Sequence, residues 1–297
     1  MSQPLPLVSV ICLCYNQSRY IADAIRSVIN QDYSAIELIV IDDYSTDDSA
    51  SQIKQLIAEG VKIDQLILNT ENLGMCRSFN KAFRASKGDF IIDLAGDDVL
   101  LPNRISMGVT RFIEMGDRYG VHYGNAAQMD ETGRVLGPVP VFEPTVKEGD
   151  LYEELIRRFI LSAPTTMTRR QVLEDLGGYD ESLAYEDFDF WIRSSRKYLY
   201  AYSDETVVYK RMHQENHSKQ HQQMGNKLMK TTLKVCQKIY QLNQNRSEFM
   251  ALRDRTLYQL GASVKYWNFS AIPGFAILFW KTLWRIWRGK FTEPGKH

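Results

Sequence analysis

Apolar strand-like runs alternate with amphipathic helical segments at the start of the chain, and this alternation constrains the fold more than any other feature. Residues 8–14 and 38–41 are almost wholly apolar, as in strands buried on both faces of a parallel sheet. Further strands at 62–68 and 90–94 and helices at about 47–59 and 75–86 continue the pattern. The first helix shows the three-and-four spacing of a core-facing stripe: Ile21, Ala24, Ile25, Val28 and Ile29. The sequence therefore predicts an α/β fold with four parallel strands.

The composition is that of a large folded protein without disulfides or structural metal. The chain has 297 residues, of which 44% are apolar and 24% charged, so it can bury a substantial core. Its 36 basic and 36 acidic residues cancel, which excludes an overall positive field that would attract nucleic acid. The four cysteines show no paired spacing and no signal peptide is evident, so we expect a reducing, cytoplasmic location.

The later part of the chain changes character. Turn-forming residues are dense over 116–144, where the pattern predicts strands and a hairpin. A helix from about 150, a strand at 165–168, a turn at 177–180, a helix from about 186 and a strand at 206–210 follow. Beyond about 217 glycine becomes scarce and Gln, Lys and Leu dominate. We therefore expect a helical extension over 218–297.

Polar residues follow three of the predicted strands at the point where each strand ends. Tyr15 and Asn16 follow the first strand, the pair 42–43 follows the second, and the pair 97–98 follows the fourth. Ligands of open α/β sheets bind outside the carboxyl ends of the strands. These residues are therefore expected to share one pocket.

The adjacent carboxylates Asp97 and Asp98 would repel each other unless a cation or hydrogen-bond donors offset their charge. Oxygen ligands of this kind suit Mg²⁺ or Mn²⁺ shared with a diphosphate. The alternative is that one of them caps the helix that follows. Capping is also the alternative for the segment around Asp43, although it leaves unexplained why two acids directly follow an apolar strand.

Two other groups have both a chemical and a structural interpretation. Glu186 and Asp187 begin a helix, where a carboxylate either complements the helix dipole or accepts a proton from a substrate hydroxyl. His213, His217 and His221 are spaced by four, but no cysteine or HExxH motif supports a zinc site. We interpret His217 and His221 as part of a solvated helix face, whereas His213 lies closer to the preceding strand.

These residues fall in six segments that resemble, in the same order, family 2 glycosyltransferases of the GT-A fold, over roughly residues 6–218. The matching segments are VSVICLCYNQSRYIADAIRSVINQDY, ELIVIDDYSTDDS, NLGMCRSFNKAF, GDFIIDLAGDDVLLPNRI, GGYDESLAYEDFDFWIR and YKRMHQENHS. The commonest loop of that family is Asp-x-Asp-Asp, and this chain departs from it with Ala95 at the first aspartate. The departure leaves open whether Asp97 contacts ribose while Asp98 binds metal, or whether Asp97 binds metal itself.

The resemblance implies a role for each site residue. Asp43 would contact the nucleotide base, with Tyr15 and Asn16 bordering it, and Arg77 would neutralise phosphate. Asp97, Asp98 and His213 would hold Mn²⁺ or Mg²⁺, and Asp187 would be the catalytic base, with Glu186 and Trp191 near the sugar. The domain would cover 1–217, with a nucleotide-binding half over about 1–102 and an acceptor half over about 103–217.

The implied function is metal-dependent, inverting transfer of a sugar from a nucleotide-diphosphate donor, most commonly a UDP-sugar in this family, to an acceptor hydroxyl. The acceptor would be a glycan or a lipid-linked glycan, in bacterial surface polysaccharide, O-antigen or other glycan assembly. One rival is a catalytically silent sugar-nucleotide-binding or scaffold protein, against which the intact acids and His213 argue. The other is a sugar nucleotidyltransferase, which would need a glycine-rich basic loop where this chain has Tyr15-Asn16-Gln17.

The C-terminal segment 273–290 combines aromatic and cationic residues at helical spacing. Its longest apolar stretch, 271–280, is too short for a membrane span, which needs about 20 residues. Trp rings with Lys and Arg are typical of helices that lie at an anionic membrane surface. This pattern predicts peripheral contact with the inner face of the plasma membrane; packing on its own domain or in a homo-oligomer is the alternative.

Overall fold

Nine strands form one mixed sheet in the computed structural model, which describes residues 4–141, 143–213, 228–289 and 291. The strands are β1 Val8–Cys14, β2 Ile36–Asp42, β3 Gln65–Leu68, β4 Phe90–Ala95, β5 Val99–Leu100, β6 Tyr119–Met129, β7 Val135–Pro138, β8 Met167–Arg169 and β9 Leu199–Arg211. Their order is β3-β2-β1-β4-β8-β6-β9-β5, and β7 pairs with β6.

Helices cover both faces of this sheet. They are α1 Ile21–Ile29, α2 Ser49–Ala58, α3 Met75–Ala85, α4 Arg104–Met115, α5 Tyr152–Arg157, α6 Arg170–Leu176, α7 Asp187–Ser195, α8 Leu228–Leu242, α9 Arg246–Lys265 and α10 Ile272–Arg288. Short 3-10 helices occupy Ala163–Thr165 and Phe269–Ala271. Within the described residues, none of the helices is both long enough and apolar enough to cross a bilayer.

The strand directions bring several carboxyl ends to one edge of the sheet. The pairs β1 with β2, β1 with β4 and β2 with β3 are parallel, which confirms the four predicted parallel strands. Strand β8 is antiparallel to both β4 and β6, so β6 runs in the same direction as β4. Strand β9 is parallel to β6. Residues that follow β9 therefore lie at the same edge as residues that follow β1, β2 and β4.

Two hydrophobic clusters fill the faces of the sheet, because successive side chains of a strand point to opposite sides. Val10 and Ile92 pack with α1, α2 and α4 on one side. Ile11 and Ile91 belong to the other cluster, which also holds residues of α3, α5 and α7. The helical extension shares this second cluster through Val235, Ile239, Leu252 and Phe275. The predicted boundary at 217 lies outside the described residues and stays a prediction.

Because the extension shares the core, we expect Leu252→Ala to destabilise the whole chain and not a separate terminal unit. Leu252 is fully buried, so the transfer and cavity terms predict a loss of about 2–5 kcal/mol in the free energy of unfolding. Thermal denaturation should then show one transition at a lower temperature. Leu257→Ala on the same helix is the matched control, because Leu257 is exposed and should change stability by less than about 0.5 kcal/mol. Two transitions, of which only one moved, would contradict a shared core.

Candidate active site

The turn after β4 packs closely on β1 and thereby fixes the direction of Asp97 and Asp98. The Gly96 N–H donates to the Leu13 carbonyl at 2.8 Å. A Cβ at Gly96 would lie 2.6 Å from Oε1 of Gln17 and 3.0 Å from the Leu13 carbonyl, so only glycine fits here without displacement. Close packing against β1 therefore explains why a glycine directly precedes the acid pair.

Asp97 contacts His213 across the edge of the sheet. Oδ2 of Asp97 lies 2.8 Å from Nε2 of His213, and both side chains are almost fully buried. The histidine ring also lies 5.1 Å from the ring of Tyr20. His213 comes two residues after β9, so the contact follows from the parallel direction of β4 and β9. The structure thus brings together two of the three predicted metal ligands.

Arg211 organises the acid pair from β9, and the sequence analysis missed it. Its backbone N–H donates to Oδ1 of Asp98 and its Nε donates to the carbonyl of Asp97, each at 3.0 Å. Its guanidinium also pairs with Asp23 at 2.8 Å and lies 4.7 Å from the centre of the Tyr20 ring. The signal available in the sequence was its position at the end of a predicted strand, two residues before His213.

The donor set fits a hard divalent cation in part. Burial and the charge of Asp97 raise the pKa of Asp98 well above its ordinary value, which is the repulsion that a cation would offset. Within the described residues, no three His, Cys, Asp or Glu side chains are arranged as a complete metal site. Mg²⁺ commonly takes only one or two carboxylates and completes its shell with water and substrate phosphates. The residues therefore fit Mg²⁺ or Mn²⁺ bound together with a diphosphate.

Asp187 is the first residue of α7, and the residue is partly exposed. Its Oδ1 accepts the N–H of Phe188 at 2.6 Å. Burial raises the pKa of Asp187, while the charges of Lys210 and Arg255 act in the opposite direction. The charge of Lys210 also acts on Asp98. Asp98 and Asp187 thus both lie within range of the charge of Lys210.

A network of ion pairs anchors the start of α7. Asp189 is fully buried, and its carboxylate accepts bonds of 2.6 Å from both Arg193 and Lys238. Lys238, on α8, also bonds Asp180 at 2.6 Å. Arg193 donates to the backbone carbonyls at 176 and 178. This network ties α7 to the preceding turn and to the helical extension, and it fixes the position of Asp187.

Two more acids, Glu186 and Asp93, lie close enough for their charges to interact, and Asp187 acts on Glu186 in the same way. Oε2 of Glu186 is buried without a hydrogen-bond partner, and burial with the charges of Asp187 and Asp93 raises its pKa. Burial raises the pKa of Asp93 to about 7, although the Tyr179 hydroxyl donates to its Oδ2 at 3.1 Å. Asp93 was missed because it lies inside an apolar strand, where a single acid is the only signal. Asp93 can therefore be protonated near neutral pH and can then donate a hydrogen bond, and the raised pKa of Glu186 favours its protonated form.

Asp43 organises the loop between β3 and α3. Its Oδ1 accepts bonds from Asn69, Ser78 and the N–H of Leu73, and its Oδ2 accepts the N–H of Gly74, all within 2.9 Å. Asp43 is therefore held in place by the loop it supports, and Oδ2 retains acceptor capacity. Contact with a base stays a prediction.

The ends of β1 and β2 are joined by hydrogen bonds of Asn16. Its Oδ1 accepts the N–H of Thr46 at 2.8 Å, and its own N–H donates to Ser45 at 2.9 Å. Tyr15 is exposed beside it, and Tyr44 is exposed at the end of β2 with a positive φ of 64°. Oδ2 of Asp42 is buried and unpartnered. Tyr44 and Asp42 are candidates that the sequence analysis did not single out.

Two predicted site residues, Arg77 and Trp191, have surroundings other than those expected. Arg77 is exposed and forms an ion pair with Glu181 at 3.7 Å. Trp191 is buried in the core, where its ring lies 6.0 Å from that of Phe159, so it supports α7 from the core. His217 and His221 fall outside the described residues.

Comparisons with known proteins agree with this architecture. The model of the family "Glycosyl transferase family 2" matches residues 9–177. The putative glycosyltransferase EpsE of Bacillus subtilis is 31% identical over 212 residues, which cover 69% of this chain and 72% of that protein. An uncharacterized glycosyltransferase of Rickettsia felis is 27% identical over 221 residues, and the match spans only 35% of its length.

Solved structures show the same fold. S. aureus TarS 1-349, in complex with UDP-GlcNAc, has a TM-score of 0.65 at 16% identity, over 94% of this chain and 92% of that one. The mannosyltransferase PcManGT from Pyrobaculum calidifontis, in complex with GDP-Man and Mn²⁺, has a TM-score of 0.65 at 17% identity, over 95% and 76%. The predicted GT-A fold with a helical C-terminal segment is confirmed. The chain belongs to glycosyltransferase family 2.

Proposed function

We propose that this glycosyltransferase is an inverting, metal-dependent enzyme that moves a sugar from a nucleotide-diphosphate donor to an acceptor hydroxyl. The observation that carries the proposal is the 2.8 Å contact between Asp97 and His213 at the carboxyl edge of the sheet. It is supported by the charge of Lys210, which acts on both Asp98 and Asp187. Inversion needs one base on the face of the sugar opposite the leaving group and no enzyme nucleophile. The carboxylate of Asp187, a partly exposed residue at the start of α7, meets that need.

The nucleotide would bind at the ends of β1 and β2. Tyr15 and Tyr44 offer exposed rings against which a base can stack, and Asp43 or Asp42 offers an acceptor for a base N–H. TarS has been solved with UDP-GlcNAc and PcManGT with GDP-Man. Uridine is the commoner donor base in the family, so a UDP-sugar is the first candidate.

The diphosphate would lie beside the acid pair. Asp97, Asp98 and His213 would hold Mn²⁺ or Mg²⁺, the former of which is present with donor in PcManGT. A cation there supplies charge that stabilises the departing diphosphate. Lys210 adds positive charge on the same side of the cleft, and Arg77 on α3 is a further cation that could reach phosphate.

The sugar would lie between the diphosphate and α7. Asp187 would accept the proton of the acceptor hydroxyl on Oδ2, because Oδ1 is held by the Phe188 N–H. Glu186 and Asp93, when protonated, can donate to sugar hydroxyls from the floor of the cleft. Trp191 would keep α7 in place beneath them.

The acceptor is proposed to be a glycan or a lipid-linked glycan in surface polysaccharide, O-antigen or other glycan assembly. Such acceptors are presented at the cytoplasmic face of the membrane, which is the location proposed here. A homo-oligomer would be compatible with this role.

Donor binding should depend on metal and on the acid pair. We expect one nucleotide diphosphate or nucleotide sugar from a panel to raise the melting temperature with Mn²⁺ and much less without it, because a ligand of the folded state stabilises it. Asp98→Asn should remove the metal-dependent part of the shift. Asp175→Asn, an exposed acid on α6, is the matched control and should leave it intact. A chain that responds to no nucleotide at all would refute the donor site.

Removal of the base should separate catalysis from donor binding. We expect Asp187→Asn to lower kcat by about 10²–10⁴-fold, since this is the usual contribution of a general base. The nucleotide-induced thermal shift should persist, because Asp187 does not contact the nucleotide in this arrangement. Steady-state kinetics with the donor identified above would measure the effect. A loss of less than threefold would exclude Asp187 as the base.

The pH dependence should follow the ionisation of Asp187. The base must be deprotonated, and burial raises its pKa, so activity should fall as the pH drops through a value above that of an ordinary aspartate. Arg255→Met removes a buried positive charge that lowers this pKa. The acid limb of kcat/KM should therefore move to higher pH in that variant. An acid limb that stayed in place would show that another group controls it.

A further inference from the structure

The tryptophans of this chain are distributed very unevenly. Four of the five lie between residues 267 and 287, and the fifth, Trp191, is buried in the core. The exposed fractions are 61% for Trp267, 67% for Trp280, 50% for Trp284 and 82% for Trp287. Large aromatic side chains are normally placed where their area is buried. Four exposed in one short segment indicate a surface that is covered by something else.

Helix α10 presents one continuous apolar stripe to the outside. Ile277, Trp280, Trp284 and Trp287 are all at least half exposed, and at 3.6 residues per turn they fall within an arc of about 80°. Phe275, Leu278 and Thr282 point the other way and are buried. The helix is about 26 Å long at 1.5 Å per residue. It therefore has two apolar faces, of which the described residues cover only one.

Trp267 adds an independent observation, because its backbone is strained. It has a positive φ of 56° and directly follows Tyr266, the C-cap residue of α9. The N–H of Trp267 bonds the carbonyl of Val264, and the N–H of Asn268 bonds that of Ser263, which is the Schellman arrangement. Glycine is the favoured residue at this position, and a bulky side chain there is an outlier. Its ring is exposed and lies 6.0 Å from that of Phe269.

The charge of this region is of one sign. From residue 255 to residue 292 the sequence contains no Asp or Glu, whereas the chain as a whole carries 36 acids and 36 bases. Lys281 and Arg288 are exposed on the side of α10 that carries the stripe. The guanidinium of Arg288 lies 3.9 Å from the centre of the Trp284 ring. Cations beside exposed tryptophans favour a negatively charged partner.

We propose that Trp267, Phe269, Ile277, Trp280, Trp284 and Trp287, hereafter the tryptophan face, dock on the surface of an anionic lipid bilayer. The indole rings would lie at the level of the headgroups, with α10 parallel to the membrane plane and its cations near lipid phosphates. A second copy of the chain is a weaker fit, because a two-fold contact would bring the same cations together. The proposal does not depend on the catalytic proposal, since it rests on a different surface.

The test is cosedimentation of the full chain with vesicles. The unaltered chain should bind vesicles of phosphatidylglycerol and phosphatidylcholine at least about tenfold more strongly than vesicles of phosphatidylcholine alone. Its tryptophan emission should shift to shorter wavelength on binding, because four exposed rings leave water. The variant W280A/W284A/W287A should lose at least about tenfold in binding. Lys281→Glu should weaken it about fivefold or more, and Lys54→Glu, on the exposed surface of α2, should leave it nearly unchanged.

Trp267→Gly separates docking from folding because the two effects have opposite signs. Relief of the strained φ should raise the melting temperature by about 2 °C. Loss of the ring should nevertheless weaken vesicle binding. A variant that is more stable but binds less well cannot be explained by damage to the fold.

Several outcomes would overturn the proposal. Failure of the unaltered chain to bind anionic vesicles would do so. Binding of the triple tryptophan variant as strong as that of the parent would also do so. A dimer in solution that the triple variant dissociates, with no vesicle binding by the parent, would assign the tryptophan face to a second copy.

Discussion

Crowding of carboxyl groups at one edge of the sheet is the constraint on which the rest of the site depends. Asp93, Asp97, Asp98, Glu186 and Asp187 all lie near this edge, and burial raises the pKa of four of them. So much buried acid is costly unless protons, hydrogen-bond donors or cations offset it. The proposed metal and the proposed sugar hydroxyls are groups of the kind that would offset this cost.

The fold offsets this charge with residues that come from the far side of the sheet. The end of β9 and the residues just after it supply Lys210, Arg211 and His213 in one short stretch, and each acts on the acids that follow β4 or begin α7. This is possible only because β8 is antiparallel to both of its neighbours, β4 and β6. Strand β6 and its parallel neighbour β9 therefore run in the same direction as β4. The topology, and not local sequence, therefore brings base and acid together.

The sequence predicts those features of the structure that depend on the local pattern of apolar and polar residues. The bounds of β1, α1 and α3 follow from apolar periodicity, and the loop acids follow from their positions at strand ends. The full length of β9 could not be predicted, because its middle, including Asp204 and Glu205, is exposed and polar. The partners of Arg211 could not be assigned, because the residues it bonds at the acid pair, Asp97 and Asp98, are more than 100 residues away in sequence. Asp43 was predicted from its position at the end of β2, but its bonds to the loop before α3 could not be predicted because they depend on tertiary contact.

The departure at Ala95 can be understood together with Asp93. Alternate residues of a strand share a face, so Asp93 lies on the same face of β4 as Ala95, two residues further from the end of the strand. At that depth its carboxylate accepts the Tyr179 hydroxyl, and its pKa rises to about 7. A neutral acid is a poor metal ligand but a good hydrogen-bond donor. In the proposed arrangement, Asp97, Asp98 and His213 would therefore hold the metal, and Asp93 would be left to recognise a sugar hydroxyl.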